Sequence, residues 1–553
     1  MDAELRRKIA SLLVVRASGH LLDEQRGYPR WELDNATLRR LLAEGVGGVI
    51  LLGGCTAELA LRTQQLRGWS DGSLLLCADV EEGVGQRFAG ASWLVPPLAL
   101  GRLHRHDPAT ALRLTERYGR CTGREARDLG LNWVLGPVCD VNNNPANPVI
   151  NVRAWGEDPA SAGALAAAFS RGAQSQGVLC CAKHFPGHGD TSSDSHLELP
   201  LLSHDRARLE AIELPPFRAA IASGVASVMT AHLLLPALDP LRPATLSAAV
   251  LKDLLRRDLG FDGLVVTDAL VMEAIAGRYG TGEAAVLALE AGADLVLMPA
   301  DADGALDAIE AAVVAGRLGL KDLEASLRRR QTALARCNTV EAAGESGVRG
   351  GPDQPLAVAL AALSAGPSQE DRALALELVE GSLERQGGRL SPTAAGGINL
   401  LRLDTLLGNP LLPASAPALT LPALQGYAPL LLEARCPPIW SRLEGAIDPE
   451  QTLERERLGA GPVLLQLFVR GNPFVGGAAG MEPWPAAILQ LQAAQRLAGL
   501  AVYGSPSLWE SLRPLLDPGV PAAWSPGQMP MAQAVLLRQL GCGAAAASGG
   551  FTD

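Results

Sequence analysis

The sequence predicts an α/β protein of two domains: a (β/α)8 TIM-type barrel, followed by a smaller, sandwich-like α/β domain. Three observations support this prediction. Strand candidates alternate with helical patterns over residues 1–340, a stretch rich in Gly and Pro follows at 341–356, and a second alternating region covers 357–553. Repeated strand–helix units indicate a parallel sheet. A closed barrel usually needs about 250 residues, so the first region is long enough for one. A doubly wound open sheet is the alternative.

The barrel is predicted from eight short apolar runs in the first region. Amphipathic patterns typical of helices lie between many of these runs, over residues 35–44, 159–176, 247–259 and 282–291. The eight predicted strands are residues 12–16, 48–52, 73–78, 132–137, 179–183, 227–230, 263–267 and 293–298.

The second domain is predicted from a change of composition and a new alternating pattern. Residues 341–356, EAAGESGVRGGPDQPL, are predicted to be a linker. From residue 351 to the end of the sequence there is no His and no Lys, so we expect acid–base chemistry in the barrel. The predicted elements beyond the linker are strands at 398–403, 463–468, 500–503 and 522–524 and a helix at 531–540.

Composition and charge narrow the classes of partner. Hydrophobic residues make up 48% of the 553 residues and charged residues 19%, which is typical of a globular protein. The net charge of −11 argues against nucleic acid or an anionic membrane as the main partner, while an uncharged sugar remains possible.

The nine cysteines are scattered and show no C-x-x-C spacing, which is typical of reduced thiols and not of a disulfide framework. Because no signal-like N-terminus or long apolar window is found, we expect a soluble, cytoplasmic protein.

Polar side chains follow five of the predicted strands at the point where each strand ends. In a barrel, the carboxyl ends of all strands lie on the face where active sites are built. We therefore expect one shared pocket on that face, formed by Asp79, Asp140, His184, His232 and Asp268.

The densest polar segment, residues 183–196, reads KHFPGHGDTSSDSH and holds three of the eight histidines. One interpretation is acid–base catalysis by Asp194 and His196, which lie on the same side of an extended segment. A carboxylate beside an imidazole fixes its tautomer and raises its proton affinity. The other interpretation is a metal site, although the spacing matches no standard zinc signature. Its candidate ligands are His184, His188, Asp190, Asp194, His196 and His232.

A second candidate, Asp268, ends the β-branched run GLVVTDAL. Taken alone, Asp268 could cap a helix. As the partner of the Asp194–His196 pair it would be an anionic nucleophile, because retaining glycosidases combine a carboxylate nucleophile with a separate acid/base. Both interpretations remain open from the residues alone.

Four strings together resemble the family-3 glycoside hydrolases, and within that family the bacterial β-N-acetylhexosaminidases (β-N-acetylglucosaminidases). They are KHFPGHGDTSSDSH, VMTAH, PATLS and GFDGLVVTDALVM, and the resemblance spans residues 10–335. The first string is the most specific. LLQLFVRGNPF and PAAWSPGQMP resemble, more faintly, the α/β sandwich domain of the family.

The resemblance implies roles for particular residues. Asp268 matches the nucleophile, and His196 matches the acid/base, assisted by Asp194. The chain departs from the family motif within DVEEGVGQR, where Glu82 replaces a usual Gly and Gly85 replaces a bulkier residue, which leaves the shape of the sugar pocket open. The positions that match sugar-binding residues are Asp79, Arg87, Arg153, Lys183 and His184.

The activity implied by the resemblance is that of a retaining exo-β-N-acetylglucosaminidase acting on peptidoglycan fragments or related glycosides. The partner would be a small carbohydrate, and no metal or organic cofactor is expected. Two alternatives belong to the same family: a β-glucosidase, and a β-glycoside phosphorylase, because an imidazole acid/base does not repel phosphate. A metal-dependent barrel hydrolase and a non-catalytic sugar-binding protein are the alternatives outside it.

Overall fold

The computed structural model describes residues 3–192, 199–341, 366–394, 396–403, 412–432, 439–440, 442–443, 446–447, 452–470 and 482–543. Its contacts divide the chain into two compact units, Met1–Leu374 and Ala375–Asp553. All but the first residue of the predicted linker 341–356 lies outside the described residues, so the linker stays a prediction. In the described part of the chain, no helix is long and apolar enough to cross a membrane.

The first unit contains a closed barrel of eight parallel strands. The strands follow one another in the order β7-β6-β5-β4-β3-β2-β1-β8, and a parallel bridge between Val266 and Leu295 joins the two ends of this order. The predicted barrel is therefore confirmed, and the open doubly wound sheet is wrong. The strands are β1 (Leu13–Ser18), β2 (Gly48–Leu52), β3 (Leu75–Ala78), β4 (Trp133–Val134), β5 (Leu179–Phe185), β6 (Ser227–Thr230), β7 (Leu264–Val266) and β8 (Val296–Leu297).

All eight predicted strands form, and several of them begin or end at other residues than predicted. β4 stops before Gly136 and Pro137, and a proline has no N–H to donate to a neighbouring strand. β8 starts late because the carboxylate of Asp294 accepts the Val265 N–H at 2.8 Å, in place of a strand carbonyl. β5 is longer than predicted, because it continues beyond Lys183 through His184 to Phe185.

Helices alternate with the barrel strands along the chain, and some of their ends follow the usual capping rules. Asn35–Glu44 forms as predicted, because Asp34 caps its start by accepting the Thr37 N–H at 2.8 Å and Gly45 ends it with φ 108°. The predicted helix 247–259 forms as a π-helix. The α- and π-helical segments are Ala3–Ala10, Asn35–Glu44, Thr56–Trp69, Leu98–His104, Pro108–Asp128, Pro159–Gln174, Arg206–Arg208, Leu209–Glu213, Leu214–Ala222, Ala249–Asp258, Glu273–Tyr279, Thr281–Ala291, Ala302–Val314, Leu320–Glu341 and Gln369–Ser382.

The second unit is built on a six-stranded sheet with the order β11-β10-β14-β15-β16-β9. Its strands are parallel except for the edge strand β9, which pairs antiparallel with β16. The four strands predicted in this region are all present. The six strands of this sheet are β9 (Glu384–Gln386), β10 (Gly397–Leu403), β11 (Tyr427–Leu432), β14 (Val463–Val469), β15 (Leu497–Gly504) and β16 (Ala522–Ser525). Two short strands, β12 (Arg442–Leu443) and β13 (Ala446–Ile447), form a separate antiparallel pair.

The sheet of the second unit is buried on both faces. Along β14, Leu465 and Leu467 pack into one apolar cluster, while Leu464 and Phe468 pack into another, because successive side chains point to opposite faces. The first cluster includes residues of the helices Trp484–Ala493 and Pro506–Leu512, and the second includes residues of Pro417–Ala423 and Pro530–Gln539. The unit is therefore the predicted α/β sandwich, and the last helix matches the one predicted at 531–540.

Candidate active site

The five polar residues predicted at strand ends all lie at the carboxyl-end face of the barrel. Asp79 follows β3 directly, and His232 and Asp268 each follow a strand by two residues. His184 lies in the last part of β5, and Asp140 contacts it from the segment after β4. Parallel strands present their carboxyl ends on one face, so these groups share one side of the barrel.

Lys183 is buried and lies at the centre of a network of buried and half-buried charges. Its Nζ is 2.7 Å from Asp79 Oδ1 and 2.6 Å from Glu81 Oε1. Arg153 donates two hydrogen bonds to Glu81, from Nε at 2.8 Å and from Nη2 at 2.9 Å. Arg87 joins the network through its Nε, which donates to the backbone oxygen of Asp79 at 2.9 Å. Four of the five predicted sugar-binding residues are thus brought together.

Glu81 is the member of this network that the sequence analysis missed. Burial opposes its charge, but the facing Arg153 and Lys183 outweigh burial and hold the pKa of Glu81 well below its usual value. Burial likewise acts to lower the pKa of Lys183, yet Asp79 and Glu81 raise it above the usual lysine value. Glu81 therefore keeps both cations charged in a buried place. A second acid in DVEE, two residues after Asp79, was the available signal.

His184 is oriented by a buried carboxylate. Its Nδ1 lies 2.7 Å from Asp140 Oδ2. Because a carboxylate oxygen accepts hydrogen bonds, Nδ1 carries the proton of this contact. Asp140 also accepts the backbone N–H groups of His184 at 3.2 Å and His188 at 2.7 Å. Burial raises the pKa of Asp140, but the charges and hydrogen bonds of His184 and His188 bring it below its usual value.

The segment after β5 is packed closely against the segment after β4. Asn147 Nδ2 donates to the backbone oxygens of His188 at 2.8 Å and Gly189 at 2.9 Å. A Cβ atom on Gly189 would lie 1.8 Å from the backbone oxygen of Val141, so only glycine fits there. The glycine of this string thus permits close backbone approach at the barrel face.

Asp268 is half-buried, and its Oδ1 accepts the Ala269 N–H at 2.7 Å. The next helix, Glu273–Tyr279, has Met272 as its N-cap, so Asp268 does not cap it. Burial raises the pKa of the Cys181 thiol, on β5, to about 12, and the charges of Asp79 and Asp268 add to this increase. Asp79, after β3, and Asp268, after β7, therefore both influence the Cys181 thiol inside the barrel.

Asp194 and His196, the predicted proton-handling pair, lie outside the described residues. The described residues before and after them are Ser192 and Leu199. Their roles stay predictions.

Three histidines that the metal interpretation names lie in the described part of the chain, and each contacts another side chain. His184 contacts Asp140, His188 Nδ1 lies 2.8 Å from Thr191 Oγ1, and His232 Nδ1 lies 2.8 Å from Thr245 Oγ1. Among the residues that the structure describes, these histidines do not form a ligand cluster with one another. The described clusters of possible ligands are Cys121, Glu125 and Asp371, and Asp190, His204 and Glu213.

The two departures from the family motif near Asp79 have local structural roles. Glu82 is buried and its Oε2 accepts the Trp93 Nε1–H at 3.0 Å. A Cβ atom on Gly85 would lie 2.3 Å from the backbone oxygen of Ala91, so a larger residue does not fit in this backbone. Both residues shape the loop after β3.

A closed barrel that gathers carboxylates, imidazoles and cations at the carboxyl ends of its strands has the architecture of a barrel enzyme. Residues 4–333 match the Glycosyl hydrolase family 3 N terminal domain, and residues 391–541 match the Bacterial Glycosyl hydrolase family 3 C-terminal domain. The chain belongs to glycosyl hydrolase family 3.

Relatives of this chain include two curated proteins. Beta-hexosaminidase A of Pseudoalteromonas piscicida is 43% identical over 189 residues, which make up 32% of each chain. Beta-hexosaminidase of Neisseria meningitidis serogroup C is 37% identical over 265 residues, or 47% of this chain and 73% of that protein. The chain therefore spans less than a third of the first relative and most of the second.

Solved structures also match nearly the whole chain. One of them is a glycoside hydrolase family 3 beta-N-acetylglucosaminidase from Paenibacillus sp. str. FPU-7, with a TM-score of 0.75 and 29% sequence identity. The match covers 97% of this chain and 96% of that chain, so it includes both units.

Proposed function

We propose that this protein is a retaining exo-β-N-acetylglucosaminidase, a β-N-acetylhexosaminidase that hydrolyses terminal β-linked GlcNAc. The observation that carries this proposal is the similarity to proteins named for this activity. The chain is 37% identical to a bacterial β-hexosaminidase over 73% of that protein. Its structure also matches a β-N-acetylglucosaminidase over 97% of this chain. Peptidoglycan fragments in the cytoplasm are the substrates that we propose.

In the proposed site, the charges around Lys183 bind the terminal sugar. Asp79 is the more exposed carboxylate of the pair that contacts Lys183, with 36% of its side chain exposed against 4% for Glu81. Asp79 is thus the one available to a sugar hydroxyl, while Glu81 stays with the cations. Charge-assisted hydrogen bonds of this kind are stronger than neutral ones. Arg87, Arg153 and His184 complete the proposed sugar-binding group.

In the first proposed step, an oxygen of Asp268 attacks the anomeric carbon as the bond to the leaving oxygen breaks. Protonated His196, assisted by Asp194, gives its proton to that oxygen, and a glycosyl-Asp268 ester forms. In the second step, neutral His196 takes a proton from water while the water oxygen displaces Asp268. Each displacement inverts the anomeric carbon, so the β configuration is retained.

Trapping with a 5-fluoro β-GlcNAc donor tests the nucleophile, and mass mapping of peptides identifies the labelled residue. We expect the glycosyl group on the peptide that contains Asp268, and no label on the Asp268→Asn variant. A label on another residue, or none on the wild type, would refute the proposed mechanism.

Turnover measurements test the reaction and the sugar. We expect p-nitrophenol release from the β-GlcNAc glycoside in the presence of EDTA, with free GlcNAc as the product even when phosphate is added. GlcNAc 1-phosphate as the main product would identify a phosphorylase. Faster cleavage of the β-glucoside would identify a β-glucosidase, and loss of activity with EDTA would favour a metal-dependent hydrolase.

A further inference from the structure

Arg16, on β1, carries a guanidinium that makes no hydrogen bond with any residue that the structure describes. Its side chain is 16% exposed, and its buried Nε has no hydrogen-bond partner. The nearest carboxylate oxygen, Glu32 Oε1, is 3.6 Å from Nη2, which is too far for a hydrogen bond. A guanidinium has five N–H donors, and unpaired donors in a buried place are costly. The guanidinium of Arg16 is therefore available to a ligand.

Arg62 shows the contacts of a structural arginine in the same part of the barrel. It is 1% exposed, and it donates to Ser18 O at 3.2 Å, to Asn35 Oδ1 at 2.6 Å and to Gln65 Oε1 at 2.6 Å. These bonds tie the helix after β2 to β1 and to the helix after β1. The guanidinium of Arg16 joins no elements in this way, so a structural role does not account for it.

The register of the barrel strands relates Arg16 to Asp79. Arg16 pairs with Ile50 on β2, and Ile50 pairs with Cys77 on β3. Residues that are paired across parallel strands point to the same face, and so do residues two apart along one strand. Asp79 comes two residues after Cys77, directly beyond the end of β3. Arg16 and Asp79 therefore face the same side of the barrel wall.

The charges near Arg16 indicate which kind of ligand group suits it. Burial lowers the pKa of Arg16, Glu32 and Asp79 act against this decrease, and Arg87 adds to it. Arg16 thus lies within electrostatic range of two members of the proposed sugar-binding group. An anionic ligand would meet two carboxylates here, whereas a hydroxyl can accept from Arg16 while it donates to Asp79. The place suits an uncharged hydroxyl better than a phosphate or a carboxylate.

The segment after β1 holds the guanidinium in position. It returns to the strand, because Leu33 donates its N–H to Arg16 O at 3.0 Å. The Tyr28 ring lies beside the guanidinium, with 5.1 Å between its centroid and Arg16 Cζ, and Glu32 Oε2 accepts the Tyr28 N–H at 3.0 Å. A ring face and a nearby carboxylate thus orient the cation without occupying its N–H donors.

We infer that Arg16 is a substrate-binding residue that donates a hydrogen bond to a hydroxyl of the terminal sugar beside Asp79. The proton of that hydroxyl is then directed to the Asp79 carboxylate. The inference rests on the proposed function, in which Asp79 binds the terminal sugar, and it adds a residue that determines which sugars are accepted. Arg16 takes no part in the attack by Asp268 or in proton transfer.

The test combines a variant of Arg16 with substrates that lack one hydroxyl. The substrates are p-nitrophenyl β-GlcNAc and its 3-deoxy, 4-deoxy and 6-deoxy analogues. On the parent glycoside, Arg16→Met should lower kcat/KM about 10- to 100-fold, because a hydrogen bond from a charged donor is lost. On the analogue that lacks the recognised hydroxyl, the same substitution should lower kcat/KM less than about threefold, because wild type and variant both lack the bond there.

Arg7→Met is the matched control, because Arg7 lies before β1 and pairs with Asp71 at the surface. It should leave kcat/KM unchanged on all four glycosides. Arg16→Lys keeps the positive charge but not the fork of donors, so its kcat/KM on the parent glycoside should lie between those of Arg16→Met and the wild type. Active-site titration with the 5-fluoro donor corrects every rate for the fraction of folded enzyme.

The same four glycosides separate the inference from the proposed function. If the wild type cleaves the parent β-GlcNAc glycoside, and Arg16→Met loses the same factor on all four substrates or loses nothing on the parent, the proposed function stands and the inference fails. If the wild type cleaves the β-glucoside but not the β-GlcNAc glycoside, the proposed function is wrong, and the inference fails with it.

Discussion

At the scale of single residues, the buried charges around Lys183 and His184 have partners of opposite charge. Lys183 and Arg153 share Glu81, and Asp140 faces His184. Unpaired charges in such places are costly, because burial removes their hydration. The consequence is that these side chains hold fixed positions before any substrate arrives.

The sequence allowed some of these residues to be predicted and not others. Asp79, His184 and Asp268 were predictable because each stands at the end of an apolar run. The pairing of Glu81 with Arg153 was not predictable, since the two residues are 72 positions apart and meet only after the barrel has formed. The second acid in DVEE marks Glu81 as a candidate, but nothing local in that string shows that its carboxylate is buried and paired with Arg153.

Glu81→Gln should destabilise the barrel strongly. Removing one partner of a buried ion pair typically costs about 3–5 kcal/mol, because the remaining charges lose their counter-ion. We expect a decrease of about 3 kcal/mol in the free energy of unfolding, measured with urea. Glu283→Gln is the control, since Glu283 pairs with Arg317 at the surface and should cost less than about 1 kcal/mol. Equal effects of the two variants would contradict the prediction.

His188 should make the protein less stable as the pH falls from about 6.5 to about 4. Burial lowers the pKa of His188 to about 4, although Asp140 acts in the opposite direction. In the unfolded chain its pKa is about 6.5. Between these values the unfolded state binds the extra proton, so stability falls with decreasing pH. Thermal unfolding from pH 7 to 4 should show a smaller decrease in Tm for His188→Gln than for the wild type.

His104→Gln is the control for this pH dependence, because His104 is only half-buried and contacts Ser161. Its Tm should change with pH as that of the wild type does. A His188→Gln variant with the full wild-type pH dependence would show that other groups cause the decrease.

At the scale of elements, the existence of a strand or helix was easier to predict than its ends. Apolar runs indicated all eight barrel strands. Their ends depend on contacts from elsewhere in the chain, such as the Asp294 carboxylate that replaces a strand carbonyl at Val265. Likewise, the helical period indicated the helix Ala249–Asp258, but its π-helical winding, with Leu259 N bonded to Leu254 O, was not predictable from that period.

Asn147→Ala should loosen the contact between the segments after β4 and β5. Asn147 is buried and its Oδ1 also accepts the N–H groups of Val149 and Ile150, each at 2.8 Å. Buried groups that lose their hydrogen-bond partners cost about 1–3 kcal/mol each. Because Asn147→Ala removes the partner of several such groups, we expect the free energy of unfolding to fall by at least about 2 kcal/mol. Urea unfolding measures it.

Asn144→Ala is the comparison, because the Asn144 side chain accepts one hydrogen bond, from Ala146 N at 2.9 Å, in a more exposed turn. It should cost less than about 1 kcal/mol. If both variants unfold at the same urea concentration, Asn147 does not tie the two segments together.

At the scale of the whole molecule, the chain consists of two units with separate cores. The composition change near residue 341 and the absence of His and Lys after residue 351 indicated two parts with different tasks. The boundary that contacts define, between Leu374 and Ala375, lies within the helix Gln369–Ser382 and has no signal in composition. Only the three-dimensional contacts reveal it.

The C-terminal part, residues 366–553, should fold when expressed alone. Its sheet has an apolar cluster on each face, so it does not need the barrel to bury its strands. We expect a cooperative thermal transition by circular dichroism and no hydrolysis of β-GlcNAc glycosides, because every proposed catalytic residue lies in the barrel. A fragment without a cooperative transition would contradict this prediction.

The burial of Lys183 also bears on how the enzyme can be attached to a support. The sequence contains four lysines, and three of them, Lys8, Lys252 and Lys321, are exposed, whereas Lys183 is 1% exposed and paired with two carboxylates. Amine-reactive chemistry acts on accessible, unprotonated amines, which Lys183 does not offer. Coupling through lysines should therefore leave the proposed sugar-binding lysine unmodified and give an immobilised protein with its pocket chemistry intact.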